Sequence, residues 1–345
     1  MGYETLAALA GLLGGVALGL AARLGNFCTL GAIEHAMFGR DRRRLRMWGV
    51  TLGVAVLSVQ GLAATGLIDL SLSFHHALAW NPLASVLGGL TFGYGMALAG
   101  NCGFSALARV GGGDVRALVV VAVMGVAGYA TLAGPLAPLR VLLFPQEDAA
   151  GPQDIAGALE AATGLPGLLT AAAIGVALLA WGLSHAPLRA SPAQVGWAAV
   201  AGLAVAWGFA ATTLLSQASF GAVTVEGPSF TAPVGRTILW LMTSTGGEIS
   251  FSVGSVLGVV LGALVGSLRR GGFRWEACED PRELGRQLGG AALMGVGGVV
   301  AMGCAIGQGL SGFATLAWSG PVTLAAISVG ATLGLHQMIA GYQPD

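Results

Sequence analysis

The sequence contains no lysine. All 16 of its basic residues are arginine, set against 16 acidic residues for a net charge of zero. Charge of either sign is scarce, at 9% of 345 residues, where a soluble domain carries about 25%. So few charged side chains cannot cover a folded surface in water, which excludes an ordinary soluble domain and leaves lipid as the solvent. The neutral balance gives no support to a nucleic-acid partner, which needs a basic footprint, and none is expected. Cysteine is almost absent too: Cys28, Cys102, Cys278 and Cys304. No two form a CxxC pair, and the five histidines do not cluster with them, which argues against zinc-type ligation or a local dithiol; no cofactor and no metal is expected. No basic segment precedes the first apolar run, so "MGYETLAALAGLLGG" reads as a membrane segment rather than a cleaved signal. Leu6 stands where a myristoylation motif requires Ser or Thr. No G-X-Y period is present, which excludes collagen.

What is abundant is apolar. Hydrophobic residues make up 55% of the chain, the mean hydropathy is +0.78, and glycine alone accounts for 58 positions. Glycine lets membrane helices approach closely and lets backbone bend where a helix breaks. A spanning helix needs about 20 mostly apolar residues, and runs of that kind lie near 3–22, 46–68, 82–100, 116–134, 166–184, 193–212, 249–268, 284–303 and 320–340. The expected fold is an all-α integral membrane protein with about nine transmembrane helices, plus re-entrant or half-helices. The arginine-rich loops "GRDRRRLR" (39–46) and "RRGGFR" (269–274), with Arg282 and Arg286, place those loops in the cytoplasm. Nine spans threaded through them leave the N-terminus outside and the C-terminus inside. The loop "FPQEDAAGPQDIAGALEAATGLP", acidic and without a basic residue, then falls outside.

Two stretches resemble each other: "GMALAGNCGFSAL" (95–107) and "GVVAMGCAIGQGL" (298–310). Aligned on Cys102 and Cys304, an offset of 202, they pair Gly93 with Gly295, Gly95 with Gly297 and Ala99 with Ala301. A fainter match joins "CTLGA" (28–32) to "ASFGA" (218–222), and Gly39-Arg40 to Gly235-Arg236. The expected arrangement is one polytopic domain, 1–345, with a pseudo-twofold inverted repeat: 1–145, then an external loop and connecting helix at 146–190, then 191–345. Inverted repeats with broken helices are a transporter device, with the substrate near the midplane where discontinuous helices end. Exposed backbone N–H groups at such ends favour an anion.

"RLGNFCTLGA", "LAGNCGFSAL" and "AMGCAIGQGL" share one form: an apolar run, a small flexible break, a cysteine, a short apolar piece. Asn26 and Asn101 are expected to cap the half-helices that follow, with the cysteines at or near their first turns. Taken singly, each cysteine is as readily a small buried hydrophobe. Taken together, neutral thiols at helix starts suit a soft anion, because S–H is a weak donor on a polarizable atom. Conduction needs binding weak enough to release.

The chain resembles the YeeE/YedE family of bacterial sulfur transporters. The resemblance rests on "GNFCTLGAIEHAMFGRD", "GNCGFSALARVGGGDVR" and "RWEACEDPRELGRQLGGAALMGVGGVVAMGCAIGQGLSG" and extends over nearly the whole chain. It implies an inverted-repeat fold in the bacterial inner membrane and uptake of thiosulfate. It also implies a relay along Cys28, Cys102 and Cys304 by S–H hydrogen bonds without a covalent intermediate. It further implies a TusA-like cytoplasmic sulfurtransferase as partner; no such domain follows "GYQPD", so the partner would be a separate protein. Related sulfur or selenium species are alternative substrates.

Around the thiols, Asn26, Asn101 and Gly103 belong to the breaks. Gln308, four residues after Cys304, would donate to the anion or bond across helices. Glu34 would couple protons or pair with nearby arginines; an ionisable residue in a membrane is a functional candidate. Glu248 reads as a solvated span end, His75 and His76 as a solvated loop, Trp80, Trp181 and Trp275 as interfacial anchors, and Cys278 as structural or incidental. Partners are thus a small sulfur anion and membrane lipid. Two other classes compete with the permease. A quinone-linked thiol oxidoreductase would need a reactive cysteine pair. A permease for another anion would leave the cysteines merely packed.

Overall fold

The computed structural model describes residues 2–39, 41–151, 153–276 and 281–340. Cys278 and Arg40 lie outside them, so the reading of Cys278 and the Gly39-Arg40 match have no structural counterpart. The described chain is helical, and no β-strand forms within it: α1 (Tyr3–Gly25), α2 (Thr29–Met37), α3 (Arg43–Ala64), α4 (Phe74–Ala77), α5 (Pro82–Ala99), α6 (Gly103–Val110), α7 (Val115–Leu132), α8 (Ala137–Leu143), α9 (Ile155–Thr163), α10 (Gly167–Leu183), α11 (Ala186–Arg189), α12 (Pro192–Ala218), α13 (Ala232–Thr243), α14 (Phe251–Arg269), α15 (Pro281–Val300) and α16 (Ser319–Ala340). Seven stretches, those holding α1, α3, α5, α7, α12, α14 and α16, are long and apolar enough to cross a membrane. The α10 helix is apolar but spans 17 residues, and α15 carries Arg282, Glu283 and Arg286 in its first turns. The protein is an all-α, multi-pass membrane protein.

Local sequence signals set several helix starts. Asn81 accepts the Ala84 N–H at 3.1 Å ahead of Pro82, and Asp114 accepts the Ala117 N–H at 3.2 Å. Each side chain satisfies one of the amides that a first helical turn leaves without a partner. Packing then follows small residues. The α1 helix runs along α14, α12 along α3, α5 along α16 and α7 along α15; α1 also meets α12, and α5 meets α15. In the α1–α14 seam, Gly11, Gly15 and Gly19 face Gly254, Gly258 and Gly262. A Cβ on Gly15 would lie 2.3 Å from the Ser255 carbonyl oxygen. Four-residue spacing of glycine thus brings two backbones into contact, where dispersion rather than water exclusion holds membrane helices together.

One end of the bundle gathers the arginines. There Arg23 Nε donates to Ser267 Oγ at 2.6 Å, Arg270 donates to the Arg23 carbonyl at 2.8 Å, and Arg46 lies 4.3 Å from the Trp181 ring centroid. Among the described residues, Arg140 on α8 and Arg236 on α13 are the arginines of the opposite end.

Three expectations are corrected here. Residues 218–222 are not a counterpart of 28–32: they form the last residue of α12 and a turn whose Phe220 is fully exposed. The next short helix, α13, begins after Gly227-Pro228-Ser229-Phe230-Thr231, which stand 202 positions beyond Gly25-Asn26-Phe27-Cys28-Thr29. The histidines are not a solvated loop either. His75 is buried and His76 half-buried, because α4 folds in beneath Gly312 and stacks Phe74 on His75 at 4.0 Å. Finally, Asn26 and Asn101 do not cap the helices that follow them. Asn26 closes α1 in the left-handed region at φ 56°, a conformation asparagine tolerates, and the cap of each following helix is the cysteine itself.

A candidate sulfur-anion path through three thiols

Each thiol stands just beyond a left-handed break. Asn26 (φ 56°) precedes Cys28, Gly100 (φ 73°) precedes Cys102, and Met302 (φ 60°) precedes Cys304. Past the break the chain is extended at Cys28 and Cys102 and then turns helical. In all three cases the sulfur accepts the backbone N–H three residues on, at 3.4 Å: Gly31 for Cys28, Ser105 for Cys102, Gly307 for Cys304. Residues 307–312 continue from Cys304 as one π-helical turn, a form often found at functional sites. The consequence is chemical. Each sulfur accepts an amide of a helix start, and Cys28 and Cys102 bond to one another, so a ligand that takes a thiol proton there replaces a weak local partner.

Cys102 has the fullest surroundings. Ser105 returns the cap, accepting the Cys102 N–H at 3.0 Å, and its Oγ lies 3.3 Å from the sulfur. Thr29 Oγ1 stands 4.0 Å from the same sulfur. Cys28 is its neighbour on one side, and Cys304 lies within electrostatic reach on the other. All three belong to one apolar cluster, Cys102 and Cys304 fully buried and Cys28 half-buried. Phe27, Phe104 and Phe230 close around them, with ring centroids 6.4 Å apart for Phe27–Phe104 and 5.3 Å for Phe104–Phe230.

Two cavities approach this centre from opposite ends. One, of about 340 Å³, is lined by Arg23, Asn26, Cys28, Arg44, Asn101 and Arg109. Arg44 reaches so far in that a Cβ on Gly31 would come within 2.6 Å of its Nη1. The other, of about 520 Å³, is lined by Arg140, Gln146, Glu226, Arg236 and Gly303. A wider groove of about 860 Å³ between α1, α3 and α12, lined by Leu13, Leu57, Leu203 and Trp207, has no charged lining residue and suits a lipid chain, not an anion.

The expected site residues divide accordingly. Cys28, Asn26, Asn101 and Glu34 share the first cavity. Asn101 is buried with its Oδ1 unpartnered, whereas Glu34 is exposed and forms no ion pair with a described arginine. Gly103 turns away, its missing Cβ position 2.7 Å from Met124 Sδ. Gln308 is buried behind the Cys304 turn, where Nε2 donates to the Met302 carbonyl at 3.3 Å; it braces the break rather than lining either charged cavity. Sequence reasoning missed Thr29, Arg44, Ser105 and Glu226. For Ser105 a signal was present, since it holds the third position after the cap, where a capping box returns its hydrogen bond.

The chain is 26% identical over 327 residues to the thiosulfate transporter TsuA of Spirochaeta thermophila, covering 90% of this chain and 92% of that protein. It is 27% identical over 364 aligned residues to the thiosulfate transporter TsuA of Escherichia coli, covering 93% and 92%. A family model described as sulphur transport matches residues 24–333, a region that holds Cys28, Cys102 and Cys304, and the chain therefore belongs to the sulphur transport family.

Proposed function

We propose that this protein takes up thiosulfate across the bacterial inner membrane, passing the ion along Cys28, Cys102 and Cys304 by S–H hydrogen bonds with no covalent intermediate. One observation carries the reading: three thiols, each with its sulfur engaged by a helix-start amide, stand between two arginine-lined cavities. The names of the relatives supply the substrate class. The alternative of a thiol/disulfide oxidoreductase turns on Cys28 and Cys102, which are neighbours, and quinone reduction blocked by thiol alkylation would favour it.

The arginine-rich end is the cytoplasmic one by the positive-inside rule, which puts the N-terminus outside and the Glu226 cavity on the outer face. The helix pairings support the inverted repeat. Exchanging α1 with α12 and α3 with α14 turns one outer seam into the other, and exchanging α5 with α15 and α7 with α16 does the same for the remaining seams. Uptake of a dianion runs against an inside-negative potential. Each charge costs about 2.3 kcal/mol per 100 mV, so net uptake is driven either by a co-transported cation or by consumption of the ion inside.

The test is uptake of ³⁵S-thiosulfate by proteoliposomes carrying Cys28→Ala, Cys102→Ala or Cys304→Ala. A loss of tenfold or more is expected in each. Full uptake in all three would overturn the relay, and competition by sulfate or selenium compounds defines the substrate range.

A further inference from the structure

Glu226 is the only acidic residue between Glu160 and Glu248. It sits on the connection between α12 and α13, in the wall of the larger charged cavity. A carboxylate is out of place in a mouth that admits a dianion, unless its charge is conditional. Its surroundings make it so. Arg236 of α13 acts on it across the cavity, and the Ser252 backbone N–H, in the first turn of α14, points at its carboxylate. Arg140 of α8 lines the same cavity. Glu248 before α14 and Glu4 on α1 bond to one another, and among the described residues no other carboxylate acts on Glu226. Burial outweighs the arginine and the amide and pushes the Glu226 carboxyl up to about 7.

We propose that Glu226 is a protonation gate on the outer mouth. Ionised, it occupies Arg236 and repels the dianion; protonated, it leaves Arg236 and Arg140 to the ion and adds a hydrogen-bond donor. The gate deepens the transport reading and rests on it. It makes anion admission depend on a proton from the outer medium, so binding of thiosulfate draws a proton onto the carboxyl. The sign follows from the raised value: the admitting form dominates below pH 7 and is lost as pH rises through it. For one group titrating near 7, the protonated fraction falls about tenfold between pH 6 and pH 8.

The experiment is thiosulfate uptake by proteoliposomes at fixed membrane potential, with external pH varied from 6 to 8, for the wild type and Glu226→Gln. Wild-type uptake falls about tenfold over that range, while Glu226→Gln stays flat at a level near that of the wild type at pH 6. A variant that keeps the wild-type slope, or a wild type that transports with a flat profile, overturns the gate and leaves the transporter standing. A wild type that moves no thiosulfate at any pH removes the transport reading and the gate with it. A second measurement does not depend on the variant folding. Adding thiosulfate to the purified wild type in weak buffer at pH 7 takes up about half a proton per protein, read with a pH indicator; binding without proton uptake overturns the proposal.

Discussion

Cys102→Ala and Cys102→Ser separate the structural role of this thiol from its role in transport. The sulfur caps α6 through the Ser105 N–H at 3.4 Å and is 1% exposed. Alanine removes the cap, which costs about 1 kcal/mol, and deletes a buried sulfur, worth about as much as a methylene group at ~0.8 kcal/mol. The loss is therefore about 2 kcal/mol. Serine keeps the cap with a better acceptor, and its hydroxyl finds partners in Ser105 and Thr29, so the loss stays under about 1 kcal/mol. Transport behaves differently. A hydrogen bond to a charged ligand is worth about 1.5–3 kcal/mol, so losing one donor slows passage about 10- to 150-fold. Serine does not restore it, because its O–H prefers the oxygens of Ser105 and Thr29 over a soft sulfur anion. The assays are thermal unfolding followed by size exclusion in detergent, and ³⁵S-thiosulfate uptake. The expected pattern is a larger drop in melting temperature for alanine than for serine, with uptake lost in both. Serine melting below alanine would refute the capping argument, and wild-type uptake in either variant would refute the donor argument.

Two further substitutions probe the frame. Gly15→Ala places a methyl 2.3 Å from a backbone oxygen of α14; neither backbone can yield without separating the seam, so a loss of at least about 2 kcal/mol is expected, and an unchanged melting temperature refutes that packing. Gly31→Ala meets only the mobile end of Arg44 at 2.6 Å, so the fold persists, with α2 gaining up to about 1 kcal/mol of helix propensity. The displaced guanidinium leaves the cavity beside Cys28, and uptake falls several-fold; undiminished uptake removes Arg44 from the path.

The class of the fold and the three thiols were legible because both follow from spacing: apolar runs of spanning length, and cysteines placed after small residues that end them. The register of 202 was legible at Cys102 and Cys304, where glycines repeat on both sides. It did not extend to Cys28, because the residue 202 positions on is Phe230, and a thiol and a phenyl ring share nothing that sequence matching detects. The caps were misassigned because asparagine outranks cysteine as a cap; the left-handed conformation at Asn26 had already claimed that residue for the end of α1. Glu226 left a trace in the sequence, as a lone carboxylate in a long apolar stretch, and the buried cavity around it could be known only from packing.

Where the charges stand argues for the division of labour along the path. A guanidinium 4 Å from a dianion, at an effective dielectric of 20, contributes about 8 kcal/mol, a well equivalent to about micromolar affinity. In the narrow centre that would hold the ion. The arginines instead line the two cavities, where water and salt screen them and where capture is useful: Arg140 and Arg236 at one end, Arg23, Arg44 and Arg109 at the other. Between them the thiols sit among Phe27, Phe104 and Phe230. On the proposed route the ion meets thiol donors of about 1.5–3 kcal/mol each and the partial positive charge of three helix starts. These are strong enough to replace part of its water and weak enough to pass it on. A cysteine suits this role because its sulfur can be pinned by a backbone amide while its proton is held only by a weak partner that an anion can replace, which neither alanine nor a fixed charge provides.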